Sequence, residues 1–180
     1  MKHVPEPIYR DILVLRCQAG DEAAFAELIE TYHARLAYYA GRLLGDTTSL
    51  EDVLQEIWLA AYRSLPRLKS PRSLPVWLYG IARHKVLAEL RRRGRALELL
   101  EEPDVLESSG TEPDFSPEDA ACIHRGLVRL HPQHREVLVL RFIEEMSYEQ
   151  IAELIGCPLG TVRSRIHHAK RSLRLSLPDF

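Results

Sequence analysis

Cysteine is scarce: Cys17, Cys122 and Cys157 are the only three in 180 residues. Their odd number and wide spacing exclude a disulfide scaffold, and no C-x-x-C pair is present. Free thiols in a reducing compartment are the expectation. Long apolar runs are missing too. The longest uncharged stretch, Ser73–Ala82, is ten residues, against roughly twenty for a membrane helix. No membrane insertion is expected. The opening Met-Lys-His-Val-Pro-Glu-Pro lacks the apolar core of a secretion signal, which predicts a cytoplasmic protein. There is no G-x-x-x-x-G-K-[ST], no H-E-x-x-H and no G-x-S-x-G, so no catalytic set stands out and an enzyme is not expected.

Eight histidines are rather many. Cys122, His124, His131 and His134 invite a zinc reading, but their spacing is not that of a standard zinc module. The expectation is no metal and no cofactor. Apolar residues at 46% and charged residues at 28% exclude a wholly disordered chain.

The small net charge of −2 hides a partition. Residues 1–95 hold 15 basic and 11 acidic side chains; residues 96–119 hold 9 acidic and none basic; residues 120–180 hold 9 basic and 6 acidic. Two mildly basic blocks flank an acidic strip. Basic blocks suit polyanionic partners, although ordinary charge scatter explains the charge alone equally well.

Apolar spacing is helical nearly throughout, which predicts an all-α fold. Ile12, Leu13 and Leu15 mark a short helix stopped by Gly20. Ala23, Leu28, Ile29, Leu36, Leu43 and Leu44 mark a long one from Asp21, with Gly45 just past its end. Ser49 is placed to cap a third, with Glu51 and Asp52 in its first turn and Pro66 closing it. Residues 66–75 hold three prolines and read as a loop. A helix from about Leu74 to Arg93 follows. Residues 96–117 lose the apolar period and read as a flexible acidic linker. The chain thus divides into two small helical domains, 1–95 and 118–180. In the second, 118–130 reads as a helix, and Pro132 starts another through Arg141, although Val137–Leu140 also fits a strand.

The last forty residues are the most informative. Ser147 with Gln150 makes a capping box for a short helix ending at Gly156. Cys157-Pro158-Leu159-Gly160 makes a turn, and Thr161 opens a second helix with Val162, Ile166, Ala169 and Leu173 on one side. This is a helix-turn-helix pattern. From Pro158 to Leu177 there are five basic residues and no acid. Ser164, His167, His168 and Arg171 are placed outward, with Thr161, Arg163 and Lys170 on the flanks. Such a surface suits a DNA major groove; a solvated amphipathic helix is usually mixed in charge.

Arg83, Lys85, Arg91, Arg92, Arg93 and Arg95 form a second basic cluster, near Trp77 and Tyr79. Basic side chains beside aromatics can hold single-stranded nucleic acid, while core packing is the commoner fate of a Trp. Lys69, Ser70, Arg72 and Ser73 lie in the loop before that helix. Asp52, Gln55 and Glu56 share one helical face beside Leu54, Ile57 and Trp58. That is a weak docking signal by itself, since such charges usually face water.

Glu51-Asp52-Val53-Leu54-Gln55-Glu56-Ile57-Trp58-Leu59 and Trp77-Leu78-Tyr79-Gly80-Ile81-Ala82-Arg83 resemble region 2 of the extracytoplasmic-function sigma factors of the sigma-70 family. Arg135-Glu136-Val137-Leu138-Val139-Leu140-Arg141, Met146–Glu153 and Gly160–Lys170 resemble region 4. The resemblance spans about residues 8–175, apart from the linker. Gly80 stands where the family often has Arg, and His84 where it often has Asn.

The resemblance implies a bacterial initiation factor that binds core RNA polymerase and directs it to promoter DNA. Asp52, Gln55 and Glu56 would dock on the polymerase clamp. Lys69, Ser70, Arg72 and Ser73, with Arg83, His84, Arg91 and Arg92, would recognise and open the −10 element. Thr161, Arg163, Ser164, His167, His168 and Arg171 would read the −35 element, and region 4 would also meet the polymerase flap. The family often has an anti-sigma partner. Two other readings remain at this point: a sigma-like decoy that sequesters an anti-sigma factor, and a simple helix-turn-helix DNA-binding regulator.

Overall fold

The computed structural model describes residues 7–94 and 126–176. Among these the chain is helical and has no strand. It falls into two compact units, Met1–Leu90 and Arg91–Phe180. The acidic strip 96–117, Cys122, His124 and most of the helix expected over 118–130 lie outside the described residues.

In the first unit, α1 (Pro7–Gln18) buries Leu13, Val14 and Cys17. Burial pushes the Cys17 thiol up from its ordinary value. Gly20 at φ 86° turns the chain into α2 (Glu22–Leu44). Asp21 caps α2, accepting from the Ala24 N–H at 3.0 Å. It also takes the Arg16 guanidinium at 2.7 Å. The Ala24 amide first, and Arg16 second, hold its carboxyl below the usual aspartate value. At the far end Gly45, φ 75°, donates its N–H to Gly41 O. A left-handed residue here costs glycine nothing and any other residue a Cβ clash.

α3 (Leu50–Ser64) buries Val53, Leu54, Ile57, Trp58 and Ala61 against α2. Val53, Leu54 and Ile57 each contribute roughly 1.5–3 kcal/mol on burial. Ser49 stands at the cap position but makes no side-chain capping bond. Its φ of −114° and ψ of 12° differ from the extended backbone that a capping serine adopts. The Trp58 indole donates to His33 Nδ1 at 3.2 Å.

The proline-rich segment is more ordered than a plain loop. Leu65–Arg67 and Pro71–Ser73 are 3-10 turns, each with Pro near its start. Gln18 fastens the first, donating to Leu65 O at 3.2 Å and Leu68 O at 2.8 Å. α4 (Leu74–Arg92) follows, and its Tyr79 meets Tyr39 of α2 edge-on at 5.2 Å.

In the second unit, a 3-10 turn at Leu127–Arg129 precedes α5 (Pro132–Leu138). Arg135 reaches back to Leu127 O at 2.9 Å and Leu130 O at 3.0 Å, which ties that turn to α5. The strand reading of Val137–Leu140 fails. All four residues are buried in a helix that widens into a π turn over Val139–Ile143. Four consecutive buried residues need more arc than a helix stripe offers, which is why their spacing was ambiguous.

Ser147 and Gln150 form the expected capping box of α6 (Tyr148–Ile155), with bonds of 3.2 and 2.9 Å. Gly156, φ 77°, ends that helix. α7 (Leu159–Ser176) begins two residues before Thr161, because Pro158 O already accepts the Val162 N–H at 3.2 Å. Its face of Val162, Ile166, Ala169 and Leu173 is buried, and α7 packs on both α5 and α6.

Candidate nucleic-acid interface

Asp52, Gln55 and Glu56 lie on the exposed side of α3, opposite its buried residues. Glu56 Oε2 meets Lys85 Nζ of α4 at 3.0 Å, joining two elements that carry separate candidate roles. The same face continues through Leu59, 47% exposed, and Tyr62, 55% exposed. These two large apolar side chains were missed in the sequence. Their signal is the step from Gln55 to Leu59 to Tyr62, four then three residues, which keeps one face. Tyr62 also packs edge-on against Phe25 at 5.0 Å. It borders a cleft of about 310 Å³ lined by Cys17, Gln18, Asp21, Phe25 and Pro66.

In the Pro71–Ser73 turn and just before it, Lys69, Ser70 and Arg72 are exposed and Ser73 is half-buried. Ser73 Oγ donates to Ser70 O at 2.7 Å, a bond that holds the turn. Arg72 stays 86% exposed and only loosely meets Asp11, at 3.9 Å. On α4, His84, Arg91 and Arg92 are exposed, while Arg83 and Trp77 are half-buried. Tyr79 is core, 1% exposed, and offers no stacking surface.

On α7, Arg163 and Arg171 are exposed, and His167 and His168 are half-buried. Ser164 does not face outward as expected: it is 6% exposed. Its hydroxyl folds back to donate to Thr161 O at 3.2 Å, an ordinary bond for a helical serine. Thr161 is likewise buried, at 7%. Lys170 is buried with its ammonium over the Phe142 ring at 5.2 Å, so it is not a flanking surface cation.

The fold also gathers histidines that lie far apart in the chain. His134 stacks on His168 with centroids 6.4 Å apart and planes 16° apart. His131 meets His134 at 6.1 Å, and His167 meets His168 at 5.7 Å. Among the described residues, no three His, Cys, Asp or Glu side chains form a group that could hold a metal ion. No helix there is long and apolar enough to cross a membrane.

A chain with these two units matches known proteins over nearly all its length. Residues 28–96 match the model of Sigma-70 region 2, and residues 120–173 that of Sigma-70 region 4. The RNA polymerase sigma-H factor of Pseudomonas aeruginosa is 34% identical, over 92% of this chain and 92% of its own. The ECF RNA polymerase sigma-E factor of Escherichia coli K12 is 31% identical, over 93% of this chain and 94% of its own. The ECF sigma factor SigW of Bacillus subtilis is 29% identical, over 93% and 96%.

Among solved structures, CnrH in complex with the cytosolic domain of CnrY aligns with a TM-score of 0.63 at 25% identity, covering 92% of this chain and 96% of that one. The sigma factor RpoE of Bartonella quintana, solved with the anti-sigma factor NepR, has the same fold at a TM-score of 0.66 and 24% identity, covering 87% and 98%. Two matched regions in order, together with relatives above 30% identity along almost the whole chain, place it in one family: it belongs to the extracytoplasmic-function sigma factors of the sigma-70 family, transcription initiation factors rather than enzymes.

Proposed function

We propose that this chain initiates transcription in the cytoplasm by dividing the work between its two units. One observation carries the reading: an exposed acidic and apolar face on α3 in one unit, and an acid-free helix after a capped turn in the other. Residues 1–95 act as region 2. Asp52, Gln55 and Glu56 dock on the clamp of core RNA polymerase, where exposed carboxylates meet basic side chains. Lys69, Ser70, Arg72 and Ser73, with Arg83, His84, Arg91 and Arg92, engage the −10 element. The exposed cations hold phosphates, and the turn offers room for an unstacked base.

Residues 118–180 act as region 4, which also meets the polymerase flap. Arg163 and Arg171 are the side chains of α7 best placed to reach −35 base edges and phosphates, with His167 and His168 beside them. Thr161 and Ser164 are buried instead, and the Ser164 hydroxyl is spent on Thr161 O. Residues 96–117 link the units. Promoter DNA and core polymerase are thus the working partners, and an anti-sigma factor the regulatory one.

Run-off transcription with purified core polymerase on a genomic fragment library tests the reading and recovers a promoter. Transcripts with defined start sites are expected only when the chain is present. Core polymerase that gains no promoter selectivity from it would overturn the assignment.

A further inference from the structure

Lys85 is a cation of the α4 basic cluster to which the function above gives no part. Its side chain is 29% exposed, and its ammonium donates to Glu56 Oε2 on α3 at 3.0 Å. Arg92, which is exposed, lies seven residues further along α4, two turns on and so on the same side. Ala88 stands between them and is exposed too, while His84 and Arg91 lie on the neighbouring line of the helix. Lys85 therefore flanks the face that carries His84, Arg91 and Arg92. Glu89 is the one acid of α4.

The pair with Glu56 is built to open. Glu56 is 63% exposed, and an exposed ion pair is favoured over its open state by at most about fivefold. A basic side chain that comes to Glu56 from a partner is brought beside the Lys85 ammonium, and like charges held close repel. Docking thus loosens the hold of Glu56 on Lys85. The four-carbon stem of lysine is flexible, so the ammonium turns to a new anion without backbone movement.

We propose that Lys85 is a further phosphate contact for the −10 strand, held back by Glu56 in the free chain and released when Glu56 docks on core polymerase. This rests on the reading of α3 as the clamp-docking helix and of α4 as the −10 helix. One side chain then couples two binding events. Core that takes Glu56 gives Lys85 to the DNA, and DNA that takes Lys85 gives Glu56 to the clamp. By linkage each partner strengthens the binding of the other by the same factor, bounded by the strength of the pair at about fivefold.

The test uses the full-length chain, alone and in holoenzyme, with the non-template −10 strand of the promoter recovered in the run-off screen as a labelled probe. For the chain alone, Glu56→Gln should tighten binding by up to about fivefold. Glu51→Gln removes an exposed carboxylate from the same helix and should leave binding near wild type. In a Lys85→Gln background the gain from Glu56→Gln should vanish. In holoenzyme at saturating core, Lys85→Gln should weaken binding and lower the slope of log affinity against log salt by about 0.7, one phosphate's worth on a single strand. Lys85→Arg should keep that slope, and it remains informative if melting shows that Lys85→Gln folds poorly. If the Lys85→Gln holoenzyme keeps wild-type affinity and salt slope, Lys85 is no DNA contact and the proposal is overturned. If Glu56→Gln and Glu51→Gln tighten binding alike, or the gain survives in Lys85→Gln, the effect is general charge removal and the restraint by Glu56 is overturned. If Arg72→Ala and Arg91→Ala holoenzymes both bind the strand as wild type does, the −10 reading itself falls, and the proposal falls with it.

Discussion

The pair Glu56–Lys85 allows docking and folding to be separated in one experiment. Replacing Glu56 with Lys removes a contact of 3.0 Å and sets two cations side by side. Unit charges at that distance attract by about 1.4 kcal/mol in bulk water. Glu56 is 63% exposed and Lys85 29%, so solvent screening and side-chain entropy reduce the net worth to roughly 0.2–1 kcal/mol. That is small against the roughly 5–15 kcal/mol that holds a typical fold together. The expected effect on melting is therefore slight, and the double variant Glu56→Lys with Lys85→Glu should recover most of it by restoring the pair in reverse.

Core binding should behave differently. If the α3 face docks on the clamp as proposed, both variants present a cation in place of the docking carboxylate, and loss of a buried interfacial charge pair costs about 2 kcal/mol or more, roughly thirtyfold in affinity. Anisotropy of labelled chain titrated with core polymerase, alongside thermal melts, reads the two quantities independently. A charge-swapped double variant that binds core as tightly as wild type would refute the docking role of this face.

Replacing Ser147 with Ala should cost about 1 kcal/mol of stability, because the Gln150 N–H loses the hydroxyl that accepts it while the backbone N–H of residue 147 keeps its bond to Gln150 Oε1; chemical denaturation followed by circular dichroism measures it. Arg163→Ala or Arg171→Ala should weaken upstream promoter binding by roughly 1–3 kcal/mol if each reads a base, while Ser164→Ala, whose hydroxyl is spent inside the helix, should leave base preference unchanged in a footprinting comparison. The Asp21 carboxyl is depressed in the folded chain, so its contribution to stability is fully present above the ordinary value of 3.8 and is lost as pH falls through the lower folded value. Asp21→Asn should show a smaller loss of stability than wild type in acid melts across that window. Changing the seven acids of residues 96–117 to Asn and Gln should raise DNA binding without core and impair initiation; a variant that initiates normally, with unchanged free DNA affinity, would reduce the strip to a tether.

Most helix ends were legible in the sequence, as was the exposure of Arg91, Arg92, Arg163 and Arg171. Gly45, Gly156 and the Ser147–Gln150 box are local devices, acting within one turn of backbone, and they stand where their residue types require. The exposed face of Asp52, Gln55 and Glu56 follows from spacing in the same way. Other expectations were only partly right. Ser49 occupies a cap position without capping, α7 starts at Leu159, Ser164 turns inward, and the proline segment folds into two 3-10 turns. In each case a hydrogen bond or backbone angle decided between options that the residue type leaves open.

The amino-acid order alone determined the all-helical class and the succession of capped helices, because periodicity and capping depend on neighbours three or four residues apart. Tertiary structure decided which distant groups share a surface. Gln18 is fastened to Leu68 across 50 residues, and Lys85 to Glu56 across 29. His134 stacks on His168 only because α5 packs against α7. No local rule sets such pairings: they follow from how buried faces fit together, and that fit depends on side-chain shape over the whole unit.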